Sequence, residues 1–352
     1  TDAVHEVEGN DLAGADASQF TPNAFVRIAP DDTVTVLIKH IEFGQGPYTG
    51  LSTLVAEELD ADWDQMRAEA APSNPELYKN LAFGIQGTGG STAIANSYMQ
   101  MRQAGAAARA MLVDAAAAEW AVPAGEITIE KGRIKHAASG RESGFGGFAQ
   151  KAAALTPPAE PVLKDPADFK LIGTDRPRVD TLAKSNGQAI FTLDVKLPDM
   201  VVSVIAHPPR FGSKPISFDD SETRAIDGVV DVKMLPQGVA VYGMNSWAAI
   251  SGRDVLQVEW DDSGAEKRSS VQIIGEYQGQ ARAPGAIAAS RGDIDATLAG
   301  AAQTFEAEYV FPYLAHAPME PLDAVIAPGE DGGVDAYLGS QLQTVDHGTI
   351  AA

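Results

Sequence analysis

Two short glycine-rich stretches hold the residues best suited to chemistry. Gly44-Gln45-Gly46 stands before Thr49, and Gly87-Thr88-Gly89-Gly90-Ser91 stands before Thr92, each at the start of a helical pattern. A helix start exposes unpaired backbone N–H groups and the positive end of the dipole, which suits phosphate. Glycine lets a ligand approach the backbone closely and accepts positive φ. Ser91 and Thr92 carry hydroxyls that can cap the helix or donate. Gln45 offers an amide that both donates and accepts, suited to an oxo group or a heterocycle edge. Taken singly, each stretch also reads as a plain turn before a helix. Two in one domain favour an anionic ligand with two docking points.

Other chemistries find less support. Neither loop is followed by the lysine of a phosphate-binding Walker pattern, and Gly84 to Gly89 does not complete a dinucleotide fingerprint. His316-Ala317-Pro318-Met319-Glu320-Pro321 sets a histidine four residues before a glutamate, a spacing that can serve acid–base work or a metal. Its two prolines exclude a regular helix, so a structural corner is the stronger reading. His40, His136, His207 and His347 stand alone and read as structural or surface residues. No Gly-x-Ser-x-Gly elbow marks a serine hydrolase. The absence of cysteine removes disulfides, thiolate metal sites and cysteine nucleophiles from this chain. A formal charge of -22, from 48 acidic against 26 basic residues, argues against nucleic acid and anionic membrane surfaces as partners. No run reaches the roughly 18–20 apolar residues of a membrane span.

The elements that must position these loops follow from periodicity. Phe25 to Ala29 and Thr33 to Ile41 form a hairpin, with Val34, Val36 and Ile38 alternating against Thr35, Leu37 and Lys39. Leu51, Leu54, Val55 and Leu59 predict a helix over about 49–60. Ala70 to Phe83 reads as loop. A long alanine-rich helix follows, about 92–122, and then a hairpin of Glu126–Ile129 with Arg133–His136 turning at Lys131-Gly132. Thr156 to Pro166 reads as a linker. Beyond it, hairpins and short strands, Gln188–Leu193 among them, with short helices at Asp219–Ala225 and Ser246–Asp254, predict a compact insert, Asp261 to Gly292 a polar connector, and Thr304–Phe311, Asp323–Ile326 and Val334–Leu338 further strands. The expected organisation is α+β: an arm over 1–20, a first domain part over 21–160, an insert over 161–265, and a return over 266–352. Thr344 to Ala352 reads as the start of a helix that stops without a cap or glycine terminator, which suggests a fragment of a larger assembly.

In order and spelling, these segments resemble the molybdopterin-binding large subunit of the xanthine oxidase superfamily, in its isoquinoline oxidoreductase and aldehyde dehydrogenase branch. Glu42 to Thr49 with Ala56-Glu57-Glu58-Leu59 resembles the family's first loop and helix. Gln86 to Ser91 resembles its second loop, and Gly105 to Leu112 the helix that follows. Gly187 to Asp194, Leu197 to Met200, Ile226 to Val229 and Trp247-Ala248-Ala249 resemble its inserted α/β hammerhead domain. His316 to Pro321 and Gly339-Ser340-Gln341 resemble the return to the molybdopterin domain.

The resemblance implies a molybdenum–pterin cofactor, in bacteria often molybdopterin cytosine dinucleotide. It places Gly44, Gln45, Gly46, Thr88, Gly89, Gly90, Ser91 and Thr92 around that cofactor, and Gln341 near a molybdenum oxo ligand. The metal's sulfur ligands come from the pterin, so the lack of cysteine is no objection. The family's later GGGFG-type loop and its catalytic glutamate have no counterpart here, which implies an incomplete active site and no catalytic residue in this chain. Expected partners are the remainder of the large subunit, a 2Fe-2S subunit, in some relatives a cytochrome c subunit, and a small-molecule substrate. The expected reaction is hydroxylation of an aldehyde or N-heterocycle with oxygen from water and electrons passed to iron–sulfur centres. A non-catalytic binding or assembly module on the same fold is the alternative. Family habit suggests the periplasm, with the cytoplasm as the other possibility.

Overall fold

The computed structural model describes residues 19–329 and 332–352. The chain divides into two compact units. The first comprises the described residues up to Asp194 together with Asp323–Ala352, and the second is Val195–Leu322.

The first unit opens with β1 (Phe20–Asn23), β2 (Val26–Ile28) and β3 (Val34–Ile38), consecutive antiparallel neighbours. α1 (Pro47–Leu59) then crosses over to β4 (Met66–Ala70), which pairs parallel with β3. β3 is thus interior to the sheet and buried along its whole length, so its alternation expresses no solvent face. α1 starts at Pro47, whose missing N–H costs nothing there. Its buried Leu51, Leu54, Val55 and Leu59 join Val26, Val34, Val36 and Met101 in the main core.

α2 (Pro75–Tyr78) is a single turn capped by Asn74, inside the stretch expected to be loop. α3 (Ala93–Trp120) lies against α1. The crossing requires Gly105, where an added Cβ would stand 2.7 Å from the Val55 carbonyl oxygen. β5 (Ile127–Glu130), β6 (Arg133–His136) and β7 (Arg141–Gly144) form a separate antiparallel sheet. Lys131 and Gly132 both take positive φ in its first turn, as a two-residue type I′ hairpin requires. α4 (Ala149–Ala153) closes the core with Phe145 and Phe148.

The stretch after α4 does not swing free. Glu57 Oε2 accepts N–H bonds from Lys170 (2.9 Å), Leu171 (2.6 Å) and Ile172 (3.0 Å). Lys164 Nζ reaches Glu57 (3.0 Å) and Asp60 (2.7 Å), and Arg102 donates to Glu58 (2.7 Å). Buried carboxylates on α1 therefore hold residues 164–172 to the first unit. The units divide at 194/195 and 322/323 rather than at the expected 160/161 and 265/266. Proline-rich composition marked the linker, but these ion pairs, invisible to composition, bind it down. α5 (Thr181–Ser185) precedes the boundary.

In the second unit, β8 (Val202–Ala206), β10 (Val229–Leu235) and β11 (Gly238–Gly243) form an antiparallel sheet in the order β10-β11-β8, while β9 (Lys214–Asp219) pairs with β12 (Gln257–Asp261). α6 (Ser246–Val255) starts at its Asn245 cap and packs on β11 and β8 over Val232, Val239 and Val241. α7 (Ser270–Ala281) occupies the expected polar connector, opened by a Ser269/Gln272 capping box. α8 (Ile294–Ala299) is short. The strands expected over Gln188–Leu193 and Thr304–Phe311 do not form among the described residues, and a short 3₁₀ turn (Thr223–Ala225) replaces the helix expected at Asp219. The chain returns to the first unit with the hairpin β13 (Ala324–Pro328) and β14 (Val334–Leu338), then α9 (Gln343–Ala351). The arm expected over 1–20 lies outside the described residues except for its last two. No helix among the described residues is long and apolar enough to cross a membrane.

Candidate functional site

The first glycine loop leaves the carboxyl end of β3, beside parallel β4. Ligands gather at such an edge because the following helices point their amino termini toward it. Gly44 and Gly46 take φ of 114° and 98°, and a Cβ at either would meet nothing within 4 Å. Glycine is required there by conformation rather than by space. Gly46 is the N-cap of α1, but the amides of this turn are taken by Glu42. Its Oε1 accepts from the Gly44 N–H (2.8 Å) and the Gly46 N–H (3.1 Å), and its Oε2 from the Tyr48 N–H (3.2 Å). Arg178 donates to Glu42 (3.1 Å) and to the Gly44 carbonyl (3.0 Å). The negative charge that the start of α1 attracts is therefore supplied by the chain itself. That revises the expectation of a phosphate seat at these amides. Gln45 folds back on the same loop, accepting from the Phe43 N–H (2.9 Å) and donating to the Ile41 carbonyl (2.9 Å).

The second loop is built differently. The Gly89 carbonyl accepts both the Thr92 N–H (3.2 Å) and the Thr92 hydroxyl (2.7 Å). Between them, Gly90 and Ser91 take φ of 60° and 55°, the signs of a type I′ turn. Ser91 is held in a region that ordinarily costs a residue with a Cβ about 1–2 kcal/mol. α3 then begins with no side-chain cap. Asn80, buried, donates to the Gly87 carbonyl (3.2 Å) and to the Thr92 hydroxyl (2.8 Å).

The two loops and the returning chain meet. The Ile41 N–H donates to the Thr88 hydroxyl (2.8 Å), and the Thr88 N–H donates to the Gln341 carbonyl (2.7 Å). The Gln86 N–H reaches the Thr344 hydroxyl (3.0 Å). A Cβ on Gly50 would stand 2.8 Å from Ile94 Cδ1, so the first turns of α1 and α3 abut. Gly44, Gln45, Gly46, Thr88, Gly89, Gly90, Ser91, Thr92 and Gln341 thus come from three segments that touch one another. Phe43, Phe83 and Ile94 leave apolar surface exposed around them.

His316 and Glu320 lie in the second unit, on a stretch without regular structure where Ala317 takes φ of 45°. His40 and His136 are buried, while His207 and His347 are exposed. No group of three or more His, Asp or Glu side chains among the described residues could hold a metal ion directly. Reading from sequence left out Arg178 and Asn80 and did not single out Glu42. The carboxylate two residues before Gly44 was the available signal, since the positive end of the helix that follows attracts negative charge.

Comparison with known proteins names the class this arrangement belongs to. Residues 5–192 and again 279–352 match the family described as molybdopterin cofactor-binding domain, the first match alone spanning more than half of the chain. The chain belongs to the molybdopterin-binding large subunits of the xanthine oxidase family. It is 34% identical to the isoquinoline 1-oxidoreductase beta subunit of Brevundimonas diminuta, over 94% of this chain and 48% of that one. It is 31% identical to the membrane-bound, pyrroloquinoline-quinone aldehyde dehydrogenase of Gluconacetobacter polyoxogenes, over 94% of this chain and 44% of that one. It is also 27% identical to nicotinate dehydrogenase B of Pseudomonas putida, over 90% and 27%. The chain therefore spans about half the length of the first two relatives. Among solved structures, quinoline 2-oxidoreductase from Pseudomonas putida 86 overlaps 47% of this chain and 26% of its own, with 16% identity and a TM-score of 0.35.

Proposed function

We propose that this chain is one half of the large subunit of a molybdenum hydroxylase that oxidises aldehydes or N-heteroaromatic compounds. The observation that carries the reading is the meeting of the two glycine loops with Gln341 through Thr88. The residues fit the cofactor. α3 starts without a side-chain cap behind a glycine turn, and such a start favours the phosphates of a pterin nucleotide. Thr88, Gly89, Gly90, Ser91 and Thr92 would surround that tail, with Gln45 and Gln341 toward the metal end. The first loop, already neutralised by Glu42, would shape the pocket rather than take a charge.

When bound, the molybdenum–pterin group supplies the redox chemistry, and the protein supplies binding and orientation. The cytosine dinucleotide form, an electron-accepting 2Fe-2S subunit, a cytochrome c subunit, and a periplasmic location belong to the same proposal and rest on the family resemblance. So does the inserted hammerhead domain, which we assign to residues 161–265. The chain alone would lack the catalytic base and be inactive.

Metal and nucleotide analysis of the purified complex tests the proposal. Stoichiometric molybdenum, with cytidine monophosphate released on acid hydrolysis, is expected. Full occupancy by other metals with no molybdenum would refute it.

A further inference from the structure

We propose that Asn80 is the positioning residue of the second glycine loop, fixing through Gly87 and Thr92 the backbone geometry presented to the cofactor. The identity of what the loop holds rests on the function proposed above; the positioning itself does not.

Asn80 is 1% exposed, and its amide has every hydrogen-bonding position filled. It donates to the Gly87 carbonyl and the Thr92 hydroxyl, and it accepts from the Ala82 N–H (2.9 Å) and from Asn96 Nδ2 (2.6 Å). Its backbone N–H reaches the Ile85 carbonyl (2.8 Å), and its carbonyl accepts from Phe83 (3.1 Å) and Gly84 (2.9 Å). Residues 80–87 are wound around this one side chain.

The consequence lies in which way the peptides face. Asn80 holds the Gly87 carbonyl, and Thr92, itself held by Asn80, holds the Gly89 carbonyl. In a trans peptide the carbonyl and the following N–H point in opposite directions. With the Gly89 carbonyl tied to Thr92, the Gly90 N–H is turned outward. The Thr92 hydroxyl gives its only proton to Gly89, so it has none for a phosphate. Thr92 serves as a link in the scaffold, not as a donor to the ligand. Behind Asn80, Asn96 meets His40 Nε2 (3.3 Å), and His40 meets Ser97 (3.1 Å), which ties the loop to the end of β3.

Asparagine is specified here because aspartate, of the same shape, has no N–H. Asn80→Asp would set a carboxylate against the Gly87 carbonyl. Thr92→Val removes the link at the other end, and Thr92→Ser restores the hydroxyl.

The test uses the intact complex with two measurements: amide hydrogen exchange over residues 84–92, and molybdenum retained after gel filtration. Asn80→Asp and Thr92→Val each lose two of these hydrogen bonds and should each raise exchange at Gly87–Ser91 by at least about tenfold. α1 should be unchanged, and Thr92→Ser should match the parent. Retained molybdenum should fall in both variants and stay at the parent level in Thr92→Ser. Parent-like exchange in both variants overturns the proposal, as does faster exchange with molybdenum retained in full. If Asn80→Asp does not fold, Thr92→Val against Thr92→Ser decides. A parent complex without molybdenum would remove the functional reading alone, and the exchange measurement would still judge Asn80.

Discussion

His40 is fully buried at the end of β3, and its Nδ1 has no hydrogen-bond partner among the described residues. Burial, then the neighbouring Lys39 charge, lowers its pKa from 6.5 to about 4. Between those values the unfolded chain binds a proton at this site and the folded chain does not. Its contribution to stability is therefore complete above pH 6.5 and is lost as pH falls toward 4, by about 3 kcal/mol at roughly 1.4 kcal/mol per pH unit. Urea unfolding of the parent and of His40→Gln across that range should show the acid-side loss shrinking by about this amount in the variant. Parallel curves would contradict the assignment. Glu57 shows the opposite balance. Burial raises its pKa, but the Ile172 and Leu171 amides and Lys164 more than offset that, so the carboxyl titrates below its usual range. The glycine loops were legible because composition alone marks them. Asn80 and Arg178 were not, because an isolated amide or guanidinium acquires its role only from neighbours brought in by folding.

Close packing decides what the elements tolerate. Gly105→Ala should destabilise by about 1–3 kcal/mol, because the obstacle is the α1 backbone and cannot move aside, although alanine is the better helix former. Gly279→Ala in α7 meets nothing within 4 Å and should stabilise its own helix by up to about 1 kcal/mol. Denaturant midpoints of the two variants should move in opposite directions; movement the same way would undo the argument. α1 and α3 were readable within two residues or so of their ends, since leucine spacing and alanine content persist over several turns. β4 was missed because only Met66 of its five residues is buried, and its parallel pairing with β3 is a long-range property. Thr304–Phe311 fails in the converse way. Its residues alternate as a strand should, but a strand exists only with a partner to share its ladder, and the described chain provides none. α7 carried a legible capping box that its polar surroundings masked.

Across the molecule, the boundary at 194/195 changes what should fold independently. Residues 195–281, carrying the β10-β11-β8 sheet, the β9/β12 pair, α6 and α7, should melt cooperatively when expressed alone. A broad, non-cooperative loss of circular dichroism would argue against that unit. A segment begun at Phe169 would carry residues 169–194, part of which α1 binds in the whole chain, and these should exchange freely once α1 is absent. The bond from Gln86 to Thr344 spans 258 residues. On a ribosome adding about 5–20 residues per second, that partner emerges roughly 13–50 s after the glycine turn it steadies. For that interval the nascent turn lacks one of its walls. Loading of any guest there belongs after translation of this region, when a chaperone or the finished chain can present a completed cradle.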